Sequence, residues 1–121
     1  MNYEDAVALA EHWITAWNAH DLDGILSHYA PNVVFEANTV RTRWGKDDGK
    51  LHGIEELRKH FALGLQLVPD LRFQLDQVFL APCGYAVVYT RENGNRVIDC
   101  VKLNPAGLAE HVTAYYGGAQ A

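Results

Sequence analysis

One acid in this sequence stands where an acid is costly. Val97-Ile98-Asp99-Cys100-Val101 reads as a strand in which Val97, Asp99 and Val101 share one face and Ile98 and Cys100 the other. Both faces are apolar, so the pattern predicts a strand covered on both sides with Asp99 inside. Burial penalises the ionised form of a carboxyl and raises its pKa, the condition of many acid–base groups. Asp99 is therefore a candidate proton donor and acceptor. A structural acid held by an indole or a hydroxyl is the alternative that the residues leave open. A second group of residues belongs with it. Trp13, Trp17, Tyr29, Phe35, Phe61 and Tyr116 all fall on inward faces of the elements read below. Core packing accounts for most of them, yet tryptophan and tyrosine carry polar tips that need partners. Several such tips around one buried acid describe a cavity with a few convergent polar groups.

Other chemistries find no foothold. The six histidines stand at 12, 20, 28, 52, 60 and 111, with no pair at i,i+3 or i,i+4, so no metal site is expected. There is no phosphate-binding glycine loop, no dinucleotide fingerprint and no nucleophile elbow. Cys83 and Cys100 read as buried small hydrophobes, with no disulfide expected. Ten basic against fifteen acidic residues give a net charge of −5, the wrong sign for a nucleic-acid partner. No apolar run is long enough to span a membrane. The start, Met1-Asn2-Tyr3-Glu4-Asp5, is acidic and lacks the apolar core of a signal peptide, which leads to the expectation of a cytoplasmic protein.

The elements that must position these groups divide the chain in two. At 121 residues, 49% of them apolar, residues 1–121 are expected to form one domain with its own core. Asn2 is a candidate N-cap, and Ala6, Ala10, Trp13, Ile14 and Trp17 recur at helical spacing. Asn18-Ala19-His20 ends that helix. Asp21 caps a second, with Leu22, Ile25, Leu26 and Tyr29 on its face and Pro31 as its stop. Val33-Val34-Phe35 is a short strand that Glu36 and Ala37 extend. Residues 38–50 carry six charges, two glycines and Trp44, and read as a long loop. Gly53 opens a third helix with Ile54, Leu57, Phe61 and Leu65 as its buried stripe. From Asp70 onward the period changes to two. Strands follow one another through turns at Pro82-Cys83-Gly84, Asn93-Gly94 and Asn104-Pro105-Ala106-Gly107. Three helices and an early strand, followed by a four-strand antiparallel meander, make an α+β domain with helices on one face of a curved sheet.

Four stretches resemble, in order and spacing, the SnoaL-like and ketosteroid-isomerase-like branch of the nuclear transport factor 2-like superfamily. They are Asn18-Ala19-His20-Asp21-Leu22-Asp23, His28-Tyr29-Ala30-Pro31-Asn32-Val33-Val34, Leu51-His52-Gly53-Ile54-Glu55-Glu56-Leu57, and Val101 to Leu108. The resemblance implies a cone, a curved sheet wrapped round the helices with a pocket at one end, and a homodimer built through the outer sheet face. It also implies roles, taken position by position. The isomerase's protonated acid matches Asp99. Its tyrosine donor falls at Trp13, whose indole N–H can donate but is less acidic. Its general base falls at Ala37 and is absent; Glu36, the nearest acid, has the opposite parity. Two further pocket tyrosines fall at Tyr29, which is retained, and Phe61, which lacks the hydroxyl. Arg96 faces outward, so the Asp–Arg–Asp pattern of the related epoxide hydrolases is not met.

Steroid isomerisation by the known route is thus disfavoured. The expectation is a pocket for a small hydrophobic, carbonyl-bearing or ring-shaped ligand, with Trp13, Trp17, Tyr29, Phe35, Ala37, Phe61, Val97, Val101 and Tyr116 around Asp99. As an enzyme it would be an isomerase, cyclase or lyase without a cofactor, with Asp99 and Trp13 as catalytic groups. The alternative is a non-catalytic ligand-binding or dimerisation module of the same fold.

Overall fold

The computed structural model describes residues 1–118. Helix α1 (Tyr3–Asn18) begins at a reciprocal cap. The Asn2 side chain accepts the Asp5 N–H at 2.8 Å, and the Asp5 carboxylate accepts the Asn2 N–H at 3.4 Å. Such a cap is worth about 1 kcal/mol. The helix buries Ala6, Ala10, Trp13, Ile14 and Trp17, the stripe that the spacing predicts. At its end the Asn18 amide both donates to the Phe73 carbonyl (2.9 Å) and accepts the Phe73 N–H (2.7 Å). The His20 ring, on a residue with φ of 54°, reaches the Leu71 carbonyl at 3.0 Å. This junction therefore fixes α1 to the strand that begins at Phe73.

Helix α2 (Leu22–Leu26) is capped by Asp21, whose carboxylate accepts the Gly24 N–H at 3.1 Å. It ends earlier than the sequence pattern suggests. Tyr29 is the first residue of strand β1 (Tyr29–Glu36), and Pro31 lies inside that strand instead of stopping the helix. The proline is tolerated because the pairing register shifts between Tyr29 and Val34, so Pro31 owes no ladder hydrogen bond.

The expected loop is the second correction. Residues 38–50 contain helix α3 (Asn38–Trp44) and the start of strand β2 (Lys50–His52). Helix α3 buries only Val40 completely, so no apolar stripe marked it. It ends at Gly45 with φ of 65°, where the Gly45 N–H donates to the Arg41 carbonyl. Helix α4 (Ile54–Leu67) follows Gly53 and buries Leu57, His60, Phe61 and Gly64. Among the described residues, four helices thus stand where three were expected.

Strands β3 (Phe73–Ala81), β4 (Gly84–Arg91), β5 (Arg96–Leu103) and β6 (Ala109–Tyr116) form the meander. The sheet order is β2-β1-β6-β5-β4-β3, antiparallel throughout except for the parallel pair β1 and β6. Its inner face carries the rows Val87–Asp99–Ala114 and Tyr89–Val97–Tyr116 against α1 and α4. The outer face is open. It carries Phe79–Ala86–Cys100–Thr113 and Val88–Ile98–Tyr115. Strand β5 is therefore covered on one side only, contrary to the expectation from its two apolar faces. Both cysteines are exposed and unpaired, Cys83 at the β3–β4 turn and Cys100 on this outer face. Among the described residues, no helix is long and apolar enough to cross a membrane.

Candidate functional site

Asp99 lies on the inner face of β5 and is 4% exposed. Its cross-strand neighbours are Val87 and Ala114. One carboxyl oxygen, Oδ1, accepts the Tyr89 hydroxyl at 3.2 Å, and among the described residues no protein group bonds Oδ2. Burial pushes the pKa up to about 7, partly opposed by the Tyr89 hydrogen bond. Burial also raises the hydroxyls of Tyr29, Tyr85 and Tyr89, and the Asp99 charge raises them further, so all three stay protonated near neutrality.

A cavity of about 80 Å³ opens beside this carboxyl. By volume it has room for roughly half a dozen waters. Of the residues expected around Asp99, Trp13, Trp17, Phe35, Phe61 and Tyr116 line it. Tyr29 and Val101 instead line a second cavity of about 10 Å³, which Trp13 and Asp99 separate from the first. Val97 is buried in the core and lines neither, and Ala37 faces an outer cleft with Glu36. Ala37 is the N-cap of α3, and the chain turns away from the sheet there. The Trp13 indole N–H does not reach into the cavity for a ligand: it donates to the Tyr29 hydroxyl at 3.0 Å. The Trp17 indole N–H is buried with no partner among the described residues.

Four polar residues that no sequence pattern singled out complete the wall. Thr39 and Arg43 come from α3, His60 from α4 and Arg91 from β4. Arg91 was legible, since it continues the inward parity of Tyr85, Val87 and Tyr89. His60 is next to Phe61 on the buried stripe of α4 and is itself buried. Arg43 and Thr39 were hidden because residues 38–50 read as a loop.

His60 sets the direction of a hydrogen-bond chain. Burial, then the charge of Arg43, lowers its pKa to about 4, so the ring is neutral. The Trp44 indole N–H donates to Nδ1 at 3.0 Å, which places the ring proton on Nε2. Nε2–H then donates to the Thr39 hydroxyl at 3.4 Å. That hydroxyl also meets the Tyr116 hydroxyl at 3.1 Å, where either oxygen can donate; when Thr39 donates, the Tyr116 O–H is free for the cavity. His60 has no free lone pair and cannot serve as a base. Among the described residues no cluster of three His, Cys, Asp or Glu could hold a metal ion.

Known proteins share this architecture. Residues 10–114 match the SnoaL-like domain family, and the chain belongs to that family. A SnoaL-like protein of unknown function from Burkholderia thailandensis is 29% identical, with 97% of this chain and 98% of that chain covered and a TM-score of 0.94. AclR, a candidate hydroxylase from Streptomyces galilaeus, has 17% identity over 96% and 91% of the two chains and a TM-score of 0.75. A candidate isomerase of the SnoaL-like family from Agrobacterium tumefaciens has 17% identity over 93% and 97%, with a TM-score of 0.72. At these lower identities the likeness shows the fold alone. No protein of curated function matches the sequence.

Proposed function

We propose that this SnoaL-like protein binds a small, largely apolar carbonyl compound in the cavity beside Asp99 and transfers a proton on it without a cofactor, as an isomerase, cyclase or lyase. The observation that carries this reading is Asp99: among the described residues the only carboxyl lining the cavity, buried, with a pKa of about 7 and one oxygen unbonded. A carboxyl in that range is well matched to proton transfer near neutral pH. Asp99 takes a proton from the carbon beside the ligand carbonyl and can return it to another carbon. The Tyr116 hydroxyl lines the same cavity and donates to the oxygen on which charge develops when Thr39 donates to Tyr116 in turn. Trp13 acts at one remove, by holding Tyr29 behind Asp99.

The test is exchange of the α-protons of a panel of small cyclic and open-chain ketones into deuterated water, followed by NMR. The reading requires exchange that rises with pH through about 7 and is lost in Asp99→Asn. Exchange no faster than buffer across the panel, with ligands still shifting cavity resonances, would favour the second reading, a ligand-binding module without turnover. That Asp99 is the sole carboxyl among the described residues of the cavity wall supports this second reading, because a two-step proton shuttle commonly uses a second acid. In either case we propose a homodimer through the outer sheet face, where Phe79 on β3, Ile98 on β5 and Tyr115 on β6 are exposed. A monomer mass by light scattering at micromolar concentration would refute the dimer.

A further inference from the structure

The polar groups on the cavity wall are unbalanced: donors far outnumber acceptors. The Trp17 indole N–H is buried without a partner among the described residues. So is Nε of Arg91, whose other edge pairs through Nη2 with Glu92 at 3.2 Å. The Arg43 side chain makes no hydrogen bond or ion pair among the described residues, although burial and the charge of Arg91 both disfavour its protonated form. The Tyr116 hydroxyl adds a further donor when Thr39 donates to it. Against these four donors the wall offers one carboxyl, Asp99, and it already accepts from Tyr89. Arg91 is offset by Glu92 on its far edge, but Arg43 has no counter-charge among the described residues, and an anionic ligand would supply one.

We infer that the ligand of this cavity carries a carboxylate, bound between Arg43 and Arg91 with Trp17 and Tyr116 as further donors, and directs its apolar, carbonyl-bearing part toward Asp99. A carboxylate is planar and matches the fork of an arginine in two parallel hydrogen bonds. Small size follows from the volume of about 80 Å³. The aromatic walls, Phe35, Phe61 and Phe73, suit a branched aliphatic or single-ring body. The inference rests on the ligand-pocket reading above and narrows it from a neutral hydrophobic compound to a small carboxylic acid.

The experiment compares 3-methylbutanoate with its neutral amide, 3-methylbutanamide, on the wild-type protein. The ¹⁵N–¹H resonance of the Trp17 indole is the reporter. The carboxylate is expected to bind about 10-fold more tightly than the amide, a difference of about 1.4 kcal/mol. Arg43→Gln, checked for folding by thermal melt, is expected to bring the two ligands within about 2-fold of one another, because the charge-assisted bonds are then lost. An amide that binds the wild type as well as the acid overturns the inference and leaves the pocket reading standing. The inference is overturned in the same way if Arg43→Gln and Arg91→Gln both fold and both keep the full preference for the acid. If neither compound moves the Trp17 indole at millimolar concentration, the pocket reading falls, and the inference with it.

Discussion

Asp99→Asn keeps the shape of the side chain and an oxygen that can accept the Tyr89 hydroxyl, but removes the titration. Stability then loses one source of pH dependence. In the unfolded chain the carboxyl has its ordinary value of 3.8, and in the folded chain about 7. Between those values the folded state holds a proton that the unfolded state has released, so wild-type stability falls as pH rises through that window and levels off above it. At pH 5 about one pH unit of the window has been crossed, and by pH 9 all of it. The loss between those two pH values is about 3 kcal/mol for this one group. Asn has no such dependence. The variant should therefore gain on the wild type by about 3 kcal/mol from pH 5 to pH 9, or roughly 10 °C in melting temperature for a domain of this size. Buried His60, with its pKa lowered to about 4, works in the opposite direction: it costs stability as pH falls from about 6.5. That contribution is common to both proteins and cancels in the difference. The assay is thermal unfolding of both at several pH values from 5 to 9. A difference in melting temperature that stays flat with pH would show that Asp99 titrates normally, and would remove the basis for its role in proton transfer.

Three further outcomes follow from the geometry. Gly84→Ala places a Cβ against the Val101 carbonyl oxygen across the β4–β5 pair, where only backbone could yield. It should cost about 3 kcal/mol or more in chemical denaturation. Trp13→Phe removes the donor to the Tyr29 hydroxyl while keeping an aromatic ring, and should cost about 1 kcal/mol in the same assay, because a buried acceptor loses its partner. Affinity for 3-methylbutanoate should fall as pH rises past about 7, since the ionised Asp99 repels a second carboxylate. Tyr29, Tyr85, Tyr89 and Tyr116 around it have raised pKa values, and His60 is neutral, so Asp99 alone changes charge there in that range. Isothermal titration at pH 6 and pH 8.5 measures this.

The parts of the fold that were legible are those whose side chains repeat. The stripe Ala6–Ala10–Trp13–Trp17 announces α1, and the β-branched run around Asp99, between turns at Asn93-Gly94 and Asn104-Pro105, announces β5. Pro31 misled because a proline stops a helix from within, but not a strand at a pairing irregularity. Asp99 was readable from parity alone. Arg43 was not, because it projects from a helix whose own sequence, Asn38-Thr39-Val40-Arg41-Thr42-Arg43-Trp44, is polar almost throughout. What holds that helix is contact with α4 and β6 through Trp44 and Thr39, together with the burial of Val40, and no local pattern encodes such contacts. The openness of the outer sheet face was likewise hidden, since Ile98 and Cys100 are apolar whether or not they are covered.

Residues 37 and 49 meet across the sheet edge: the Ala37 N–H donates to the Gly49 carbonyl at 3.0 Å, one step beyond the paired Glu36 and Lys50. The chain thus leaves β1 and rejoins β2 at adjacent points, and everything between them is an excursion from a hairpin that would close without it. The sheet does not need α3 for its own continuity. The two ends of the cavity are consequently built by parts with different freedom to change. The Asp99 end is woven into three paired strands, where a substitution disturbs the register of the whole. The Arg43 side, unlike Arg91 on β4, is carried on a detachable segment that descent could lengthen, shorten or recharge, giving the same buried acid a different class of ligand.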